Sequence, residues 1–157
     1  MRAIVILCAV LWPLLASAQT NIAFGANAEN QNAPVEVTAD SLSVDQKNGT
    51  AIFTGNVVIG QGTLRLAAPR VLVVYRQDSQ QISRLEATGG VTLVDGDDAA
   101  EAESADYNLD TRTIVMQGSV LLTQGPSAIT SDRMVVNLDD NTAQMTGRVK
   151  TVLQQGE

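Results

Sequence analysis

Asn48-Gly49-Thr50-Ala51-Ile52-Phe53-Thr54-Gly55-Asn56-Val57-Val58-Ile59-Gly60-Gln61-Gly62-Thr63-Leu64 is the stretch that decides the fold. It starts at an Asn-Gly pair suited to a tight turn and reaches a second turn at Gly60-Gln61-Gly62. Between them apolar and polar residues alternate, the period of a strand with one buried face. Its central phrase is apolar, x, apolar, Thr or Gln, Gly, x, Val. The phrase occupies 51–57 and returns at 85–91, 114–120 and 143–149. Its glycines, Gly55, Gly89, Gly118 and Gly147, lie 34, 29 and 29 residues apart. A second phrase lies upstream of each: Ala39 to Val44, Ala68 to Val73, Ser104 to Leu109 and Ser131 to Val136. Each unit therefore reads strand, turn, strand, turn, and units of this size stack to share one interior.

Working outward, further turns fall at Asp95-Gly96, Gln124-Gly125-Pro126 and Asp139 to Thr142. No stretch after the first eighteen residues holds a helical period beyond ten residues, so the domain spanning residues 34–153 is expected to be all-β. Residues 1–18 read as a signal peptide: Arg2, then an apolar run from Ala3 to Leu15, then Ala16-Ser17-Ala18 as the cleavage pattern. That apolar run falls short of the roughly 20 residues needed to span a bilayer. Residues 19–33 are polar and aperiodic and read as a disordered leader, and residues 154–157 as a short tail.

Composition removes several function classes. The chain has no histidine, and its one cysteine, Cys8, lies within the signal segment. Ser-His and Cys-His nucleophiles, most zinc sites and any disulfide framework are thereby excluded. Net charge is −7, and −8 without Arg2, which opposes nucleic acid as a partner. The acids Asp95, Asp97, Asp98, Glu101, Glu103 and Asp106 read as a solvated turn and edge strand. A calcium site is the sharper reading, although EF-hand spacing is missing. No metal or cofactor is expected. Arg65, Arg70, Arg76 and Arg84 fall within twenty residues holding one acid, Asp78. They read either as outward strand residues or as a basic rim for phosphate or carboxylate groups.

If glycine and valine in the repeat face inward together, one face collects Phe53, Val57, Ile59, Leu64, Leu66, Val71, Val73, Val91, Leu93, Tyr107 and Leu109. It continues through Ile114, Met116, Val120, Leu122, Met134, Val136, Met145 and Val149. The inward glycines then mark a bulge that curves the sheet, space for a bound chain, or both together. This face is aliphatic, with aromatics only 3% of the chain, so it offers few platforms for sugar rings. It suits acyl chains, each buried CH₂ being worth about 0.8 kcal/mol. A packed core without a groove fits the same pattern.

Residues 39–45, 48–59 and 61–64, continued by 68–75, 116–122 and 131–136, resemble the OstA-like domain of the LptA family of periplasmic lipopolysaccharide-transport proteins. The likeness covers nearly all of 34–153. It implies an open-ended twisted β-jellyroll of two antiparallel sheets around an apolar groove that holds the acyl chains of lipid A. It further implies head-to-tail homo-oligomers joined at their sheet edges. These would bridge an inner-membrane LptC-like component and an outer-membrane LptD-like translocon. By position, Val35 and Val37 fall on the N-terminal edge strand of the groove. Phe53, Tyr107, Leu109, Met116 and Leu122 fall deeper, and the arginine group becomes a possible headgroup contact. An anchored LptC-like component, a ligand-free structural module and an acid-pair glycan-degrading enzyme are the rival readings.

Overall fold

The computed structural model describes residues 22–24 and 33–154. The expected signal peptide lies outside the described residues, as does most of the expected leader. Eleven strands are described: β1 (Ile22–Ala23), β2 (Glu36–Thr38), β3 (Ser41–Asp45), β4 (Thr50–Gln61), β5 (Leu64–Tyr75) and β6 (Ile82–Asp95). There follow β7 (Asp98–Asn108), β8 (Thr113–Gln124), β9 (Ser127–Asn137), β10 (Thr142–Thr146) and β11 (Lys150–Val152). They form one antiparallel sheet in the order β1-β10-β9-β8-β7-β6-β5-β4-β2, with β3 also on β4 and β11 also on β9.

The sheet is bent lengthwise along a line of β-bulges. Gly55-Asn56 together oppose Pro69, where the β4–β5 register jumps from Thr54↔Arg70 to Val57↔Ala68. The same two-against-one step occurs at Gly89-Gly90 and at Gly118-Ser119. Both residues of each pair have positive φ: +80 and +48 at Gly55-Asn56, +85 and +47 at Gly118-Ser119. A bulge sharpens twist and turns the strand, so these three bulges, continued by Gly147-Arg148 between β10 and β11, fold the sheet into two walls. Wall A holds β3, β10 and the halves of β4 to β9 near the longer connections 76–81, 109–112 and 138–141. Wall B holds β2, β11 and the halves near the two-residue turns 62–63, 96–97 and 125–126. In each of those short turns the glycine alone has positive φ, as a type II′ hairpin turn needs, so Pro126 is accepted in second place.

The bend also resets which residues face inward. On β5, Leu64, Leu66 and Ala68 are buried, then Pro69 and Arg70 are both exposed, and burial resumes at Val71 and Val73. On β7 the reset falls at Glu103-Ser104 and on β9 at Asp132-Arg133. The third copy of the upstream phrase is therefore Ala102-Glu103-Ser104-Ala105, two residues before the Ser104 to Leu109 alignment expected from sequence.

The glycines do not face the interior. A Cβ on Gly55 would come 2.5 Å from Oδ2 of Asp40, and one on Gly147 2.7 Å from Oδ2 of Asp132. At Gly118 it would run into the carboxylate of Glu103. Glycine is used because the positive φ and the packed neighbour both exclude a side chain. The bulge that the sequence pattern allowed is present at Gly55, Gly89 and Gly118.

The core is one continuous aliphatic cluster between the walls, including Val57, Leu66, Val73, Leu85, Leu93, Ile114, Met116, Leu122, Met134 and Val136. Each side chain buried there contributes about 1.5–3 kcal/mol. Val149, expected inward, is exposed beyond the last bulge, and Met145 is half-buried.

Candidate functional site

The candidate site is the interior between the walls, whose two sides carry different chemistry. On the bend side the walls are joined by backbone. On the opposite side the ends of the hairpins meet as two free rims. Tyr107, near the rim end of wall A on β7, donates its hydroxyl to Oε1 of Gln61, at the rim end of wall B on β4, at 2.9 Å. Strands β4 and β7 are not neighbours in the sheet, so this bond crosses the interior. Gln61 in turn donates Nε2 to the carbonyl of Ala33 at 3.1 Å. Both side chains are buried, and among the described residues no buried side-chain polar atom lacks a partner. Burial pushes the Tyr107 hydroxyl above its usual pKa, opposed by Arg112 and supported by Asp139, so it stays a neutral donor.

Of the residues singled out from sequence, Val57, Ile59, Leu64, Leu66, Val73, Tyr107, Met116, Leu122 and Val136 are buried between the walls. Val35, Val37, Phe53 and Leu109 are half-buried and pack against that cluster from its margins. Val37 pairs with Ile59 on the N-terminal edge of wall B. The interior is thus lined almost wholly by aliphatic groups, with Tyr107 and Gln61 as its polar closure.

The four arginines do not converge. Arg65 curls back to the carbonyls of Gly62 and Leu64, at 2.5 and 2.8 Å. Arg84 chelates both oxygens of Asp106 and lies 3.6 Å from Glu86 on the outer face of wall A. Hydrogen bonding to Asp106 raises its pKa further. Arg76 is paired with Asp110 beside the β5–β6 connection, in an open cleft of about 670 Å³ that also touches Val44, Lys47 and Tyr75. Arg70 stands exposed at the bend. Arg65 belongs to wall B, Arg70 to the bend, and Arg76 and Arg84 to wall A, where each is held by its own carboxylate.

The acids are dispersed as well. Asp95 is buried and accepts from the Thr63 hydroxyl at 2.6 Å, Glu103 sits on the bend and Asp106 holds Arg84. Among the described residues no three metal-ligating side chains come together.

Sequence reasoning missed Ile22-Ala23-Phe24. Ile22 and Ala23 pair with Ala143 and Thr142 of β10, and Phe24 is among the largest fully buried side chains. The signal available was two apolar residues spaced by two within a polar stretch.

The family whose description is LptA/(LptD N-terminal domain) LPS transport protein matches residues 36–155 of the chain. An uncharacterised protein of Rhizobium meliloti strain 1021 is 35% identical over 92 residues, covering 54% of this chain and 50% of that protein. The lipopolysaccharide export system protein LptA of Escherichia coli K12 is 38% identical over 40 residues, covering 26% of this chain and 22% of LptA. The matched stretch thus spans half or less of each relative. LptH of Pseudomonas aeruginosa, the LptA-homologous periplasmic component of a lipopolysaccharide transport device, superposes with a TM-score of 0.72 at 17% identity. That superposition covers 81% of this chain and 99% of LptH, and it establishes the same open β-jellyroll. With a bent, two-walled sheet and a family match running from β2 past β11, the chain belongs to the LptA/LptD N-terminal domain family of lipopolysaccharide transport proteins.

Proposed function

We propose that the protein is a periplasmic carrier that holds the acyl chains of lipopolysaccharide between its walls while they cross water. The observation that carries this is an aliphatic interior closed by backbone on one side and by side-chain contacts on the other. A chain of ten CH₂ groups moved from water into such a space gains about 8 kcal/mol at 0.8 kcal/mol each. That gain offsets the cost of parting side-chain contacts at a rim, worth about 1–3 kcal/mol each when a buried polar group loses its partner. The anionic headgroup stays in solvent beside the rims, where Arg65 lies next to the 62–63 turn and is not held by a carboxylate. The protein performs no chemistry. It works after removal of residues 1–18 and bridges the membranes in head-to-tail rows between LptC-like and LptD-like partners.

A ligand-free structural module is the second reading, favoured by the tightness of the interior, where Leu93, Ile114 and Leu122 have no exposed surface. Photocrosslinking separates the two. A photoreactive residue at Val37, Phe53 or Leu122 is expected to yield lipopolysaccharide adducts, and one at Arg70 none. A folded protein that gives no adduct at any inward position is a packed module.

A further inference from the structure

The two ends of the sheet in wall A are finished differently. At the N-terminal end, β3 carries Leu42 and Val44 opposite Phe53 and Ala51, in the inward phase, yet they are 54% and 58% exposed. At the C-terminal end, the outer edge of β10 is covered by β1. Ile22 pairs with Ala143, Phe24 is 1% exposed, and the Phe24 amide donates to the Asn141 carbonyl at 2.9 Å. A contact from wall B completes the seat: Gln124 Nε2 donates to the Ala23 carbonyl at 2.6 Å.

β1 and β3 share a pattern and a direction. Ile22-Ala23-Phe24 and Leu42-Ser43-Val44 are each apolar, small, apolar, so both place two apolar side chains on one face. Every neighbouring pair from β3 through β10 to β1 is antiparallel, and wall A alternates direction strand by strand. Counting along it, β1 runs the same way as β3. A second copy stacked end to end would lay its β3 against β10 in the place and direction that β1 holds.

From this we infer that Ile22–Phe24 is a cis cap on the C-terminal edge, a stand-in for the Leu42–Val44 edge of the next copy, and that end-to-end joining requires its displacement. The inference rests on the head-to-tail reading above. The cap keeps a free edge from pairing indiscriminately, and it lowers apparent affinity by the fraction of molecules in which it is lifted. The incoming edge brings β2 as well as β3 and covers Leu42 and Val44, which are exposed in the single copy. It thereby gains more than the two-residue β1 gives up.

The test uses the chain purified from the periplasm and sedimentation velocity over a concentration series. Ala23 and Thr142 are Cα partners, so Ala23→Cys with Thr142→Cys permits a reversible clamp, in a chain whose only native cysteine is Cys8. Oxidation is expected to weaken end-to-end association at least about tenfold, and reductant to restore it. Phe24→Ser is expected to strengthen association by about tenfold, and Leu42→Asp to abolish it in either background. If the pair fails to oxidise, or if the oxidised form associates as well as the reduced one, β1 is not the gatekeeper and the inference falls. If Leu42→Asp leaves association unchanged, or if no form associates, the edge-joining reading falls with it.

Discussion

The bend and the rim are the two seams of this jellyroll, and they are made of different materials. Along the bend, glycines and their bulge partners hold the walls through the main chain, with Asp40, Pro69, Glu103 and Asp132 packed against the turn of the sheet. Along the rim, the described crossings are Tyr107 to Gln61, and Gln124 to Ala23 of the strand on β10. A backbone seam cannot part without unfolding several strands, whereas a side-chain seam can part locally. The difference teaches that the molecule has a hinge side and a door side, which a closed barrel lacks.

The largest expected effect breaks the hinge. Gly118→Val combines a φ of +85 with a collision against the Glu103 carboxylate, and should cost about 3–5 kcal/mol in urea unfolding. Gly90→Ala is the sharpening control, since its φ is +97 but no atom lies within 4 Å of the added Cβ. It should cost about 1–2 kcal/mol, the backbone share alone. Equal losses at the two sites would mean that close packing at the bend contributes nothing.

Next comes the door. Tyr107→Phe leaves the Gln61 carbonyl oxygen buried without that donor and should cost about 1–2 kcal/mol. Hydrogen exchange should quicken at the rim ends of β4 and β7 and stay slow beside the bulges. Uniform quickening would make the seams equivalent.

A pH series gives a smaller effect. The folded-state pKa of Tyr107 is raised by burial, so its stabilising share is fully present below the unfolded value near 10. It is lost as pH rises through the folded value, and the alkaline decline in urea midpoint should flatten in Tyr107→Phe. An unchanged decline would place the titrating group elsewhere.

The smallest concerns the Arg148–Asp132 pair on the outside of the last bulge, 2.7 Å apart and solvent-exposed. Its hydrogen bond holds the Asp132 pKa below the usual carboxylate range, so what it contributes is lost as pH falls through that lowered value. Salt screens such a pair, and Arg148→Ala should leave the melting temperature within measurement scatter.

Alternation and repetition made the strands legible, because side-chain period and turn chemistry are local properties. The aliphatic interior was legible for the same reason. Four features were not. The direction of the repeat glycines depends on φ at Gly55 and Gly118, which inverts the side to which a Cβ would point. The phase reset at Glu103 was hidden because Ala105 and Tyr107 resume the alternation so soon that Ser104 to Leu109 passed for the start of the phrase. The connection at Leu109 to Arg112 carries no glycine, its positive φ being taken by Arg112. Contacts between distant segments, such as Gln61 with Tyr107 or Phe24 beside Asn141, leave no periodic trace at all. The arginines that lie close in sequence take separate partners in space: Arg65 the carbonyls of Gly62 and Leu64, Arg76 Asp110 and Arg84 Asp106.

The spacing of the bulges makes the length of this molecule a countable quantity. From each repeat glycine to the facing residue across the short turn is 14 positions: Gly55 to Pro69, Gly89 to Glu103, Gly118 to Asp132. Back across the long turn is 15 at Asp40 to Gly55, Glu103 to Gly118 and Asp132 to Gly147, and 20 only where the 76–81 connection intervenes. A tandem duplication of one 29-residue unit would therefore bring its own bulge into line with the others and lengthen the domain by two strands, about 10 Å. An insertion between a bulge and its short turn would throw the crease out of alignment, whereas the five extra residues of the 76–81 return leave it in line. Growth of such a domain through evolution is quantised, and the quantum is one hairpin.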